Sequence, residues 1–211
     1  MNPIYVILSL AFLILFSSFD ILSSESDMKI IGERIVEDLM QVPFNDEQIS
    51  FLMNSITDEG YCPEINYTDL SRTGFENAKH TSYLVTLARA WNKCDSKFYK
   101  NTQLKPTIES ALSFWVKNDF ICENWWHNQI GTPNNLVNLL LLIGDELPET
   151  LVDKTQPIIG RANLNASGAR SKRDRIKIAE ILPRNLLFLK DESRFAEVVK
   201  VIENEIKFET G

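Results

Sequence analysis

The sequence predicts an all-α protein built as a series of antiparallel αα-hairpins. Three observations predict it. Apolar residues recur at helical spacing through most of the chain. Capping residues stand where those periods begin and end. No stretch shows period-two alternation bounded by hairpin turns.

The elements follow in order. Ile4–Phe16 reads IYVILSLAFLILF, an apolar run of 13 residues. A spanning helix needs about 20 such residues, whereas the length suits the core of a signal peptide. Ser17, Ser18, Ser23 and Ser24 supply small residues for cleavage, so residues 1–24 are expected to be an export signal, with an N-terminal anchor as the alternative. Residues 25–211 are then the helical domain. Helices are expected near 28–41 and 45–57, the second opened by Asn45 and Asp46. Leu84, Leu87, Ala88 and Trp91 share one face of a helix at 74–92. Ile108, Ala111, Leu112, Trp115 and Val116 share a face at 104–118. The run LVNLLLLI (Leu136–Ile143) is apolar nearly all round and marks a helix at 133–144 buried on several sides. Thr132 before Pro133 reads as its N-cap and first helical position, and Gly144 as its close. Further helices are expected at 149–159, 173–190 and 192–207. Asp191 caps the last, which carries Phe195, Val198, Val199, Ile202 and Ile206 on one face. Short connections make neighbours antiparallel. The longer irregular stretches, 58–73, 119–132 and 160–172, are where functional residues are expected.

Composition narrows the function. The 211 residues are enough for one medium domain, and 24% charged with 44% apolar is ordinary globular content. A net charge of −7 argues against nucleic-acid binding through bulk charge. Cys62, Cys94 and Cys122 are too few and too scattered for a disulfide scaffold or a zinc module. In an exported chain one pair could bridge and one cysteine would be left over. No nucleophile elbow, phosphate loop or metal-ligand cluster is present in the sequence, so no cofactor or metal is expected.

The most unusual segment is Asn124–Asn135, NWWHNQIGTPNN. Adjacent residues lie about 100° apart on a helix, so Trp125 and Trp126 cannot both face one core. Asn124, His127, Asn128, Gln129, Asn134 and Asn135 surround them with neutral hydrogen-bonding groups. An indole plate takes the C–H face of a sugar ring, and amides take its hydroxyls. The alternative is that both Trp pack in the core and the amides act as caps. A second segment, Asn163–Arg175, is a small-residue loop carrying Arg170, Lys172, Arg173 and Arg175 ahead of a helix. It suits a carboxylate or sulfate, or is simply a solvated basic helix start. Of the two histidines, His80 reads as a packed residue and His127 as one lining the Trp site.

The run NWWHNQIGTPNNLVNLLLLIGDELP (Asn124–Pro148) resembles the signature of polysaccharide lyase family 8, the family of the chondroitin AC, hyaluronate and xanthan lyases. SYLVTLARAWNK (Ser82–Lys93) is similar to the family's earlier helix, and SGARSKRDRIKIAEILPRNLLFLKDE (Ser167–Glu192) to its Thr-Gly-Ala-Asn loop and following helix. The resemblance implies an α/α toroid, here incomplete, and β-elimination on uronic-acid polysaccharides. It implies an acidic polysaccharide and the family's C-terminal domains as partners. Asn124, Trp125 and Trp126 would bind substrate. Arg170 stands where the family has the Asn that neutralises the uronate carboxylate; either Arg170 does so as a charge, or Asn163 or Asn165 reaches in. Gln129 stands where the family often has Glu. The family's catalytic His and Tyr lie well beyond that loop, and neither His80 nor His127 matches the His position. The resemblance therefore implies the front part of an exported lyase, inactive alone for want of a base. The other readings are a non-catalytic helical carbohydrate-binding module and a membrane-anchored helical protein unrelated to sugars.

Overall fold

The computed structural model describes residues 27–165 and 173–205. The expectations placed on residues 1–24, Arg170 and Ile206 lie outside these residues. Among the described residues there are eight α-helices and no strand. They are α1 (27–40), α2 (Asp46–Ser55), α3 (Ala78–Asn92), α4 (Leu104–Asn118), α5 (Thr132–Ile143), α6 (Glu149–Ile159), α7 (Arg173–Leu189) and α8 (Glu192–Glu205). None is long and apolar enough to cross a membrane.

Helices α3 and α4, α5 and α6, and α7 and α8 pack as hairpins. Their first members form a row, with α5 between α3 and α7, and α4 packs on α6 behind it. This placement explains the Leu-rich run. With neighbours on three sides, α5 buries Leu136, Val137, Leu139, Leu140, Leu142 and Ile143 together. Each such side chain removed from water contributes about 1.5–3 kcal/mol. The α7–α8 pair is sealed less completely: Phe195, Val198, Val199 and Ile202 are half-buried, while Ile176 and Leu189 are exposed. Helix α1 is tied in where Arg89 Nε donates to the Leu39 carbonyl at 2.7 Å.

Two caps act as the sequence suggests. Asn45 Oδ1 accepts from Gln48 N at 2.7 Å, and Asp191 Oδ1 accepts from Arg194 N at 3.2 Å. Helix α2 buries only Ile49 and Leu52, so its cap matters more than most. Asn45→Ala is expected to lower stability by about 1 kcal/mol, read as a shifted urea midpoint at unchanged slope.

Three expectations need correction. Helix α3 begins at Ala78 and not near 74, because Phe75 adopts φ 65 and breaks the approach. Thr132 is not an N-cap. It is buried and helical, and the chain is already helical at Trp125. Gly144 does not close α5 by a left-handed turn; its φ is −56 and it leads into a short 3₁₀ turn at Gly144–Glu146. What Gly144 supplies is room: a Cβ there would lie 2.4 Å from Cε2 of Phe188 on α7. The three cysteines are free, with Cys62 and Cys122 buried and Cys94 exposed. Burial pushes the Cys62 and Cys122 thiols up, so both behave as small apolar groups.

Candidate glycan-binding site

The Trp pair sits at the entry to α5. Asn124 caps this entry, its Oδ1 accepting from Trp126 N at 3.1 Å. The helix then widens into a π turn at His127–Gly131, where Thr132 N donates to the His127 carbonyl. The wider turn shifts the hydrogen-bond register just before Pro133, whose missing N–H would leave a gap in an unbroken α-ladder. Single π turns inside α-helices recur at functional positions.

A second segment clamps this entry. Asn128 uses both ends of its amide on Cys122, donating to the carbonyl at 2.7 Å and accepting from the backbone N–H at 3.1 Å. Asn124 Nδ2 donates to the Arg72 carbonyl at 3.3 Å, and Glu123 N to the Leu70 carbonyl at 2.9 Å. The loop before α3 therefore braces the loop before α5. Asp119 begins that second loop in the left-handed region, φ 45, and ion-pairs with Arg161.

Trp125 and Trp126 are both half-buried and both pack against the core. Trp126 lies along its own helix. A Cβ on Gly131 would come within 2.7 Å of its Cζ3, so glycine is what lets the indole settle there. His127 stands edge-on to Trp126, with ring centroids 5.2 Å apart, and meets Phe75 at 5.1 Å. Burial lowers the pKa of His127, which favours the neutral ring.

Trp126 also forms one wall of a groove of about 230 Å³ shared with Ile130, Gly131, Asn134 and, from α7, Lys177, Glu180, Ile181 and Arg184. The Lys177 ammonium lies over the Trp126 ring, 5.3 Å from its centroid. Arg184 spends its donors within the protein: Nη1 on Asn134 Oδ1 at 3.2 Å and Asn138 Oδ1 at 3.3 Å, Nη2 on Glu180 Oε1 at 2.6 Å.

The structure thus brings together Asn124, Trp125, Trp126, His127 and Gln129 on one helical entry. Arg170 lies outside the described residues. Four of the amides read as sugar ligands are engaged within the protein: Asn124 on Trp126 N and the Arg72 carbonyl, Asn128 on Cys122, Asn134 on Arg184, and Asn135 on Thr81 Oγ1 at 3.0 Å. Sequence reasoning missed Lys177, Glu180 and Arg184. Their spacing, i, i+3 and i+7, sets a charged stripe along one face of the helix, and that was the available signal. Among the described residues no group of three or more His, Cys, Asp or Glu side chains could hold a metal ion.

Residues 40–180 match polysaccharide lyase family 8, N terminal alpha-helical domain, and the chain belongs to that family. Among particular relatives, chondroitinase-AC of Pedobacter heparinus is 26% identical over 212 residues, covering 99% of this chain and 30% of the relative. Chondroitinase AC lyase, solved as enzyme–oligosaccharide complexes, superposes with a TM-score of 0.79 at 25% identity over 86% of this chain and 27% of its own. Paenibacillus xanthan lyase shares the fold, with a TM-score of 0.63 at 20% identity over 85% of this chain and 19% of its own. The chain spans less than a third of the length of each of these relatives. The hairpin rows described above are accordingly an arc of an α/α toroid.

Proposed function

We propose that this chain is the substrate-binding helical part of an exported lyase that cleaves a uronate-containing polysaccharide by β-elimination. Trp125 and Trp126 seat the sugar chain. The observation that carries this reading is the half-buried Trp126 indole walling a groove in a domain of lyase ancestry. Asn124 contributes by holding the entry of α5 in place; its Oδ1 is committed to the cap. His127, packed between Phe75 and Trp126, sets the tilt of the indole. Gln129 completes the polar margin, and Arg170 is proposed as a carboxylate neutraliser. The remaining length of the relatives supplies the partner domains in this reading.

Proton abstraction at C5 needs a positioned base. Neither described histidine suits the task. His80 is sealed in the core, and His127 is held by two rings. The base is proposed to come from beyond these helices.

The test is titration of the 211-residue chain with an unsulfated chondroitin oligosaccharide, followed by intrinsic Trp fluorescence and calorimetry. Trp125→Ala with Trp126→Ala is expected to weaken binding by roughly tenfold or more, because an aromatic shelf carries the contact. No unsaturated-uronate absorbance is expected from this chain alone. Unchanged affinity in the double variant would remove the shelf from the site.

A further inference from the structure

We propose that Lys177 makes the Trp126 groove selective for sugars that carry a negative charge, by covering the indole in the free protein and moving onto the anionic substituent when a sugar binds. This rests on the glycan-binding reading above and adds the residue that reads the charge of the ligand at one named subsite.

Charge within the groove is the first argument. It is lined by two cations, Lys177 and Arg184, and one anion, Glu180. Glu180 and Arg184 neutralise one another at 2.6 Å, and Arg184 is further held by Asn134 and Asn138. Among the described residues Lys177 forms no ion pair; its ammonium rests on the Trp126 ring. The groove therefore keeps one net positive charge in a chain whose net charge is −7. Lys177 is half-buried as a residue, and the indole face leaves the three N–H donors of its ammonium free to take an anionic acceptor.

Geometry is the second argument. A sugar that stacks on Trp126 must take the face now occupied by the ammonium. The lysine stem has four rotatable carbons, so the ammonium can swing aside without moving α7. A sugar bearing a carboxylate or sulfate ester gives the displaced ammonium a charge-assisted hydrogen bond. A neutral sugar removes the cation from the ring and gives nothing back. Arg184 acts as the fixed part of this device: its three contacts hold Asn134 and Glu180 so that neither carboxylate nor amide collapses onto Lys177. The groove, at about 230 Å³, is smaller than the roughly 300 Å³ at which drug-sized pockets begin, so it suits a single ring with its substituent.

The experiment uses the full chain and three probes: an unsulfated chondroitin hexasaccharide, the same hexasaccharide after carboxyl reduction, and a sulfated, carboxyl-reduced counterpart. Wild-type protein is expected to bind a charged probe roughly tenfold more tightly than the neutral one, with the margin shrinking as salt rises. Lys177→Gln is expected to bring that ratio close to one by weakening the charged probes and, with the cover gone, tightening the neutral one, and Lys177→Arg to retain it. Loss confined to the unsulfated acid assigns the carboxylate; loss confined to the sulfated probe assigns the sulfate. Both variants are checked for an unchanged melting curve. An unaltered ratio in Lys177→Gln, or equal weakening of charged and neutral probes, overturns the proposal. If the Trp double variant loses binding while Lys177→Gln keeps the wild-type ratio, the shelf stands and the lysine cover fails. If the Trp double variant binds all probes normally, both fall.

Discussion

Gly60→Ala is expected to lower the stability of the domain by at least about 3 kcal/mol, which for a chain of this size is a fall in melting temperature of roughly 6–12 °C. Two separate effects add. Gly60 adopts φ +89, where an L side chain costs about 1–2 kcal/mol. A Cβ there would also lie 2.0 Å from the Ser110 carbonyl oxygen and 2.8 Å from the Ala111 nitrogen. These are backbone atoms of α4, so no rotamer change relieves the overlap; the turn must lift from the helix. Gly60 closes that turn through its N–H to the Thr57 carbonyl at 2.9 Å, and the next residue, Tyr61, accepts from Thr57 N at 2.9 Å. Gly32→Ala is the matched control. It lies within α1 with nothing within 4 Å of the added Cβ, so it is expected to be neutral or to stabilise by up to about 1 kcal/mol. Thermal unfolding of the two variants side by side reads the difference, and equal curves would refute the account.

The contrast between these glycines marks where sequence reading stops. Both are isolated glycines beside a glutamate, and nothing local says that one presses on α4. Helical faces are different. Leu84, Leu87, Ala88 and Trp91, or Leu136–Ile143, repeat a period imposed by backbone geometry, so their burial follows from spacing alone. The start of α5 shows the intermediate case. Thr132–Pro133 satisfies the rules for a helix start, but a π turn satisfies the same missing N–H while the helix continues from Trp125. Which solution wins depends on Asn128 gripping Cys122 and on Asn124 capping the earlier turn. The amides were legible as a polar cluster around two indoles. Which of them are committed to backbone is tertiary information. Lys177 reaches Trp126 only because α7 packs on α5.

Between pH 6.5 and pH 4 the domain is expected to lose on the order of 3 kcal/mol of stability through His80. His80, in the first turn of α3, is 2% exposed. Its Nε2 lies 2.9 Å from the Ala111 carbonyl, which can only accept, so Nε2 carries the proton. Its Nδ1, 2.8 Å from the Tyr67 hydroxyl, then accepts from that O–H. Tyr67 in turn accepts from the Cys62 N–H at 3.0 Å. Every member of this chain is satisfied by the neutral ring alone. Burial pulls His80 down to about 4, against the hydrogen bond that its Nε2 donates to the Ala111 carbonyl, and pushes Tyr67 up to about 12. The sign follows. The unfolded chain takes up a proton at its ordinary pKa of about 6.5, while the folded one waits until about 4. Stability is therefore complete above pH 6.5, falls as pH drops through the window, and levels off below about 4. At pH 5 the deficit should be about 2 kcal/mol. Urea unfolding of wild type and His80→Gln across this range makes the measurement. The variant is expected to be weaker at pH 7 and to fall less steeply than wild type below it, the remaining slope coming from groups such as His127, whose pKa burial also lowers. A slope as steep as wild type's would place the titrating group elsewhere. The same loss should reach the sugar site without any proton binding in the groove. Tyr67 and His80 hold the loop whose Leu70 and Arg72 carbonyls brace Glu123 and Asn124, so loosening that loop loosens the entry that carries Trp125 and Trp126.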